Sequence, residues 1–213
     1  MKLFIWDFHG VLEKDNEFAV KEVVDKVLSE FKINRKATVQ ECLDLYGKKW
    51  AEYYRYFAPD SNEETIHQMV KRAVEISLGE KPALKHIKPM DHAHDVLKQI
   101  SKKGHTNIII SNSSPKALDF FLASVNMSNL FDKKFGADLH RKNAHEKNSK
   151  EILLKQFLSK NKFESIILID DAQEGIEMGK RLNAITYHFS RNNNIHSDAD
   201  YQISDLREVL KEL

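Results

Sequence analysis

The sequence predicts an α/β fold in which helices cover both faces of a parallel sheet, with an all-helical segment inserted after the first strand. Two observations lead to this prediction. Short apolar runs of the length of buried strands recur along the chain, and amphipathic helical patterns separate them. The stretch from about Glu17 to Gly79 has helical patterns only. The alternation is typical of a doubly wound sheet, and the helical stretch is typical of an inserted domain.

Four apolar runs bounded by polar residues are predicted to be parallel strands buried on both faces. They are Leu3 to Trp6, Asn107 to Ile110, Ser165 to Ile169 and Ala184 to Phe189. A shorter run, Tyr201 to Ile203, fits an edge strand, and the amphipathic segment Leu206 to Leu213 follows it as a closing element.

Amphipathic helices are predicted between these strands. They are His92 to Lys102, Pro115 to Val125, Ser149 to Leu158 and Glu174 to Arg181. Pro115 suits the first turn of its helix because no intrahelical hydrogen bond is lost there. Glycine and proline interrupt the pattern between Gly79 and Pro89, where the chain leaves the insert. The predicted domains are therefore a core of residues 1–15 and 84–213 and a helical insert of residues 16–83.

The composition argues against several classes of partner. Lys and Arg number 33 against 32 Asp and Glu, so the chain lacks the basic field that drives nucleic-acid binding. No apolar run approaches the roughly 20 residues of a membrane span. The single Cys42 excludes an internal disulfide, and the N-terminus enters a strand pattern at once, unlike a signal peptide. We expect a cytoplasmic protein that binds neither nucleic acid nor membrane.

Polar residues that could carry chemistry follow the predicted strands. Asp7 ends the first strand, Ser111 and Asn112 end the second, and Asp170 and Asp171 end the strand that begins at Ser165. In an open α/β sheet, ligands bind beyond the carboxyl ends of the strands. Lys147, expected where the preceding helix opens, would add an ammonium to this edge, although Lys142 and Lys150 lie close enough to take its place.

Four segments resemble the motifs of the haloacid dehalogenase superfamily, in the same order and on the same elements. They are DFHGVL from Asp7, NIIISNSSP from Asn107, EKNSKEILLKQFL from Glu146 and ILIDDAQEGIEMGK from Ile167. The resemblance covers nearly the whole chain and implies a Rossmann-like core. The helical insert resembles the cap of subfamily I, which includes β-phosphoglucomutase and phosphoglycolate phosphatase-like enzymes.

The resemblance implies a Mg2+-dependent phosphatase that hydrolyses a small phosphorylated metabolite through an aspartyl-phosphate on Asp7, as a monomer or homodimer. The catalytic residues would be Asp7, His9, Ser111 and Lys147; the phosphate-binding residues Ser111, Asn112 and Lys147; and the metal ligands Asp7, His9 through its backbone carbonyl, Asp170 and Asp171. Mg2+ prefers oxygen ligands such as these.

Elementary electrostatics gives a separate reason for combining carboxylates with cations. A carboxylate that attacks a phosphoryl group approaches another anion, and two unit charges about 4 Å apart repel by about 4 kcal/mol at an effective dielectric constant near 20. A metal ion and a lysine can offset that repulsion.

One residue departs from the family pattern. Where the family carries a second aspartate, this chain has His9. The backbone carbonyl can bind a metal whatever the side chain is, but proton transfer to the leaving group needs a side chain that gains and loses a proton, which imidazole can do. Two alternatives therefore stay open: a silent or weakly active binding protein with this fold, and a phosphotransferase or phosphomutase.

Other polar and aromatic residues allow two interpretations. An aromatic cluster in the insert is either core or substrate contact, and it consists of Tyr46, Trp50, Tyr53, Tyr54, Tyr56 and Phe57. His92 and His94 point to different sides of a helix, which favours solvation over a metal site. Cys42 is interpreted as a small buried apolar residue.

Overall fold

The computed structural model describes residues 1–138, 149–191 and 197–213. They form two compact units. Met1–Lys14 and Pro89–Leu213 make one, here called the core unit, and Asp15–Lys88 make the other, here called the helical unit. The helical unit ends at residue 88, five residues beyond the predicted end of the insert at residue 83.

The described chain contains the following elements in order. They are β1 (Leu3–Trp6), β2 (Glu13–Lys14), α1 (Asn16–Glu30), α2 (Val39–Asp44), α3 (Trp50–Phe57), α4 (Glu63–Gly79), α5 (Ala83–His86), β3 (Lys88–Pro89), α6 (Ala93–Lys102), β4 (Thr106–Ser111), α7 (Pro115–Ser124), β5 (Lys133–Gly136), α8 (Lys150–Leu158), β6 (Ile166–Asp170), α9 (Gln173–Arg181), β7 (Ile185–Phe189), β8 (Tyr201–Ile203) and a final 3-10 helix (Leu206–Glu212).

The main sheet of the core unit confirms the predicted fold class. Within the described residues it has six strands in the order β5-β4-β1-β6-β7-β8, and every pair is parallel. β1 lies between β4 and β6, so the carboxyl ends of these three strands are neighbours. From β1 the chain adds β4 and β5 on one side and then β6, β7 and β8 on the other. Open α/β sheets bind ligands beyond the carboxyl ends of the strands at such a reversal of strand order.

Burial explains why β1 reads as an uninterrupted apolar run. All four of its residues, Leu3–Trp6, are fully buried. Such side chains each contribute about 1.5–3 kcal/mol when they leave water. The indole Nε1 of Trp6 donates a 3.0 Å hydrogen bond to Oδ1 of Asn107, a buried residue of β4 that itself donates to the Leu97 carbonyl oxygen. β1 is thus fixed on both sheet faces.

The sequence analysis missed the edge strand β5. Its first residues, Lys133 and Lys134, are exposed, and Lys134 pairs with Asp119. Charged edge strands of this kind resist pairing with other chains, but they lack the apolar pattern that marks a buried strand. The predicted helices of the core unit agree with α6, α7, α8 and α9 to within one residue at each end.

The helical unit has its own apolar core. The buried members include Val23, Val27, Leu28, Cys42, Tyr53, Tyr54, Phe57, Ile66, Met69 and Ile76. Three residues of the aromatic cluster therefore serve as core, whereas Tyr56 is exposed and stacks under the guanidinium of Arg35. Burial raises the pKa of the Cys42 thiol to about 12, so this cysteine is no nucleophile at neutral pH.

None of the helices in the described ranges combines the length and the apolar character that crossing a membrane requires.

Candidate active site

Three carboxylates converge at the carboxyl edge of the sheet. Asp7 follows β1 and donates its backbone N–H to the Ile169 carbonyl oxygen of the neighbouring strand, at 2.9 Å. Oxygens of Asp7, Asp170 and Asp171 lie within 4.8 Å of one another. Asp7 and Asp170 are buried, and Asp171 is partly exposed. The structure thus brings together three residues that the sequence placed at strand ends.

Two glycines permit this close approach. A Cβ on Gly10 would lie 2.1 Å from Oδ2 of Asp171, and Gly10 has a φ of +78°, in the left-handed region that side chains disfavour. A Cβ on Gly175 would lie 2.1 Å from the Asp170 carboxylate. Both positions therefore require glycine, because any larger residue would displace a carboxylate.

Backbone contacts hold the acidic pair in place. The Asp170 side chain accepts a hydrogen bond from the N–H of Ala172 at 3.0 Å. The carbonyl oxygen of Asp171 lies 3.0 Å from Nε2 of His188, a buried residue at the same edge, on β7. The turn after β6 is therefore fixed by its own backbone and by the next strand.

Lys150 supplies the cation of the site. Its Nζ lies 2.5 Å from Oδ1 of Asp7 and 3.3 Å from Oδ2 of Asp170. Lys150 is the first residue of α8, and the hydroxyl of Ser149 caps that helix by accepting from the N–H of Ile152. Lys147, the lysine chosen from the sequence, lies outside the described residues. A signal for Lys150 is the serine before it, because serine is a preferred N-cap residue and predicts that the helix begins at Lys150.

The charges of these groups perturb one another. Burial raises the pKa of the Asp170 and Asp171 carboxyls, and the neighbouring Asp7 raises them further, while Lys150 opposes the shift. Burial alone would lower the pKa of Lys150, but the charges of Asp170 and Asp7 outweigh it and raise that pKa above its ordinary value. Lys150 therefore stays charged, and within the described residues its ammonium interacts with three carboxylates.

The donor set fits a magnesium ion. Mg2+ takes oxygen ligands and is held through a few carboxylates with water completing its shell. Asp7, Asp170 and Asp171 offer such oxygens within one small volume. Burial, and then the charge of Asp7, raise the carboxyl pKa values of Asp170 and Asp171, and a bound cation would offset both effects.

The loop after β4 supplies neutral polar groups on the other side of Asp7. Ser111 ends the strand and is buried, and its Oγ accepts a hydrogen bond from the N–H of Ser113 at 3.2 Å. Asn112 is half-buried between them. Ser114 then caps α7 by accepting from the N–H of Ala117 at 3.3 Å. The predicted phosphate-binding residues Ser111 and Asn112 thus lie on a loop that hydrogen bonds hold at both ends.

His9 is enclosed by residues that the sequence analysis did not select. Its Nδ1 lies 3.0 Å from Oε1 of Glu13, and its Nε2 lies 3.2 Å from Oγ of Ser113. The rings of Phe8 and Phe121 meet the imidazole edge to face. A signal for Glu13 exists in hindsight: a charged residue directly after the apolar pair Val11–Leu12 needs a partner if the segment is buried.

Comparisons with known proteins agree with this fold. The family model described as haloacid dehalogenase-like hydrolase matches residues 4–188. No curated protein matches the chain. A haloacid dehalogenase-like hydrolase from Streptococcus pneumoniae is similar in structure, with a TM-score of 0.81, 14% identity, and coverage of 99% of this chain and 97% of that chain.

Two further solved structures are similar over the whole length. A predicted phosphoglycolate phosphatase from Haemophilus somnus has a TM-score of 0.82 and 15% identity, with 100% of this chain and 97% of that chain covered. A candidate β-phosphoglucomutase from Thermotoga maritima has a TM-score of 0.75 and 17% identity, with 100% of both chains covered.

The class of protein that the structure defines is a parallel α/β sheet with carboxylates and a lysine at its carboxyl edge. The family match covers most of the chain, and the chain belongs to the haloacid dehalogenase-like hydrolases.

Proposed function

We propose that this protein is a Mg2+-dependent phosphatase that hydrolyses a small phosphorylated metabolite through an aspartyl-phosphate on Asp7. The convergence of Asp7 with Asp170, Asp171 and Lys150 carries the proposal. Such a set has little use in the fold itself, because buried like charges oppose folding. It is well suited to receiving a dianionic phosphoryl group together with a metal ion.

Asp7 is the proposed nucleophile. One carboxylate oxygen attacks phosphorus while the bond from phosphorus to the leaving oxygen breaks, and the leaving oxygen takes up a proton. Water then attacks the phosphorus of the acyl phosphate, releases inorganic phosphate and restores the Asp7 carboxylate. Lys150, at 2.5 Å from Oδ1 of Asp7, orients the carboxylate and lowers its repulsion of the phosphoryl oxygens.

Ser111, Asn112 and Lys150 are the proposed phosphate-binding groups. The hydroxyl and the amide can donate hydrogen bonds to phosphoryl oxygens, and the ammonium adds charge. The role of Lys147 as a phosphate-binding lysine stays a prediction from the sequence. Activity measurements on variants of Lys147 and Lys150 distinguish the two lysines.

Asp7, Asp170, Asp171 and the His9 backbone carbonyl are the proposed metal ligands. Mg2+ would supply positive charge to the transferring phosphoryl group. The side chain of His9 is the proposed proton donor to the leaving oxygen and then the acceptor of a proton from water, in the position where the family carries an aspartate.

A substrate screen tests the proposal. Purified protein is assayed for phosphate release from a panel of sugar, nucleotide and carboxylic-acid phosphates, with Mg2+ and with EDTA. We expect Mg2+-dependent turnover of at least one substrate, absent in Asp7→Asn. Asp119→Asn is the matched control, because it neutralises an aspartate of the same unit whose side chain is 61% exposed and forms an ion pair with Lys134 at the surface.

The same screen addresses the alternatives. Inactivity across the panel, with no stabilisation by Mg2+ in thermal unfolding, would contradict the phosphatase proposal. That outcome would favour a silent binding protein, the alternative that follows from the presence of His9 in place of an aspartate. Transfer to another acceptor is detected by 31P NMR of the full reaction mixture, where phosphotransfer gives a new phosphate ester in place of inorganic phosphate.

A further inference from the structure

The His9 ring is held from several directions by residues of the core unit. Glu13 contacts Nδ1 at 3.0 Å, and Ser113 contacts Nε2 at 3.2 Å. Phe8 and Phe121 contact the ring with centroid distances of 5.0 and 4.9 Å. The His9 side chain is only 23% exposed. These contacts restrict the imidazole to one orientation.

Glu13 is well placed to be the fixed member of this group. It is fully buried, and its Oε1 also accepts a hydrogen bond from the N–H of Gly10, at 3.3 Å. The segment that carries it is anchored by a 2.9 Å hydrogen bond from the N–H of Met90 to the Leu12 carbonyl oxygen. A carboxylate is costly to bury, so it occupies such a place only with fixed partners.

A hydrogen bond to one imidazole nitrogen decides the role of the other. A carboxylate can only accept, so contact with Glu13 puts the proton of the neutral ring on Nδ1. Nε2 then faces Ser113, whose N–H reaches the hydroxyl of Ser111 at the end of β4. The reactive nitrogen thus points toward the serine loop of the site.

We propose that Glu13 is a positioning residue. Its carboxylate accepts the Nδ1 hydrogen of His9, fixes the ring and its tautomer, and leaves Nε2 as the atom that exchanges a proton with the leaving oxygen. This inference rests on the proposed function, because it deepens the proton-transfer role of His9. Carboxylate partners orient metal-bound and catalytic histidines in the same way.

A purely structural role for Glu13 makes a different prediction. If Glu13 only supports the turn after β1, its loss lowers all activities together. If it positions His9, its loss lowers turnover only where the leaving group needs a proton. p-Nitrophenyl phosphate releases a stable phenolate and needs little protonation, whereas an alkyl phosphate needs a proton on its leaving oxygen.

The experiment compares kcat and KM for p-nitrophenyl phosphate and for the most active alkyl phosphate of the screen. Glu13→Met removes the acceptor and keeps the length of the side chain. Glu13→Gln keeps an acceptor oxygen for Nδ1. Asn107→Leu is the control for loss of a buried hydrogen-bonding residue elsewhere in the core unit, since Asn107 is also fully buried.

We expect Glu13→Met to lower kcat for the alkyl phosphate by about ten- to a hundredfold relative to the aryl phosphate, with KM little changed. In Glu13→Gln, the ratio of kcat for the alkyl phosphate to kcat for the aryl phosphate should be close to that of the wild type. Asn107→Leu should lower the melting temperature without changing this ratio. In a His9→Ala background, Glu13→Met should add nothing to the ratio. Equal losses on both substrates, no loss, or a full additional loss in the His9→Ala background would overturn the inference.

A spectroscopic measurement separates this inference from the phosphatase proposal. Two-bond 1H–15N NMR spectra in alkaline buffer, assigned with His9→Gln, report which ring nitrogen of His9 carries the hydrogen. We expect Nδ1–H in the wild type and in Ser113→Ala, and loss of that preference in Glu13→Met. A wild-type Nε2–H tautomer, or loss of the preference in Ser113→Ala alone, would refute the role of Glu13 whether or not the protein is active.

Discussion

The groups on the two sides of Asp7, toward β6 and toward β4, differ in their chemistry. On the β6 side, burial and the mutual interactions of Asp170, Asp171 and Lys150 shift the pKa values of these groups. On the β4 side, His9 contacts the Ser113 hydroxyl, two aromatic rings and the buried side chain of Glu13. In the proposed mechanism the first side balances charge and the second directs a proton. The resemblance to the family implies that His9 replaces an aspartate, and such a replacement would change the second side and leave the first intact.

The largest expected effect comes from Asp7, which both sides share. Asp7→Asn should abolish turnover, a loss on the order of 10⁴-fold or more, because removing a nucleophile leaves only binding and electrostatics. The fold should persist, since asparagine has the same shape and relieves repulsion from Asp170 and Asp171. Steady-state phosphate release and thermal unfolding measure the two effects. Residual activity above one part in a hundred would contradict the role of Asp7 as nucleophile.

A substitution of Lys150 tests the β6 side of Asp7. Lys150→Met should lower kcat/KM by about 10²–10³-fold, as expected when one preorganised charge donor is lost. It should also destabilise the metal-free protein by about 3–5 kcal/mol, the range for removing one partner of a buried ion pair. Denaturant unfolding measures the second effect.

Lys147→Met is the matched control for that experiment. It changes the lysine chosen from the sequence three positions earlier. We expect it to retain most of the activity; if instead Lys147→Met is inactive and Lys150→Met is active, the ammonium of the site comes from Lys147.

A substitution of His9 tests the β4 side of Asp7. His9→Ala should lower kcat for alkyl phosphates by about 10²-fold or more and change p-nitrophenyl phosphate hydrolysis far less, because general acid catalysis matters where the leaving group is poor. The pH profile of the wild type on alkyl phosphates should differ from that of His9→Ala, because the variant lacks the proposed proton donor. His9→Asp should retain activity, as the family pattern implies. An identical pH profile in His9→Ala would exclude His9 as the proton donor.

The smallest expected effect is the pH dependence of metal-free stability. Raised carboxyl pKa values mean that the folded protein keeps protons on Asp170 and Asp171 that the unfolded chain has lost. The free energy of unfolding without metal should therefore fall as pH rises from the ordinary aspartate range through the raised values.

Magnesium should reverse this trend because it binds the deprotonated carboxylates. Its stabilisation should grow with pH and reach about 2.7 kcal/mol when its concentration is about a hundred times its dissociation constant. Thermal unfolding at several pH values, with Mg2+ or EDTA, measures both effects. Asp171→Asn should be more stable than the wild type in EDTA and should respond less to Mg2+; equal Mg2+ responses in the two proteins would remove Asp171 from the metal site.

The sequence by itself determined the main sheet except for its edge strand β5, and it placed the carboxylates of Asp7, Asp170 and Asp171 at one edge of that sheet. Buried strands such as β1 and β6 are apolar along their whole length, and the helices between them keep helical spacing, so both are recognisable locally. Once the strands are parallel, their carboxyl ends share one edge, and Asp7, Ser111 and Asp170 must lie there.

The tertiary structure decided the contacts that depend on loops. Lys150 reaches Asp7 across 143 positions of sequence, and Ser113 reaches His9 across 104. No periodic pattern specifies which of several nearby lysines or serines makes such a contact, because helix starts and turn geometry place the side chain. Glu13 gives only a weak signal in the sequence, a charge directly after the apolar pair Val11–Leu12, and only the fold shows that it is buried against His9.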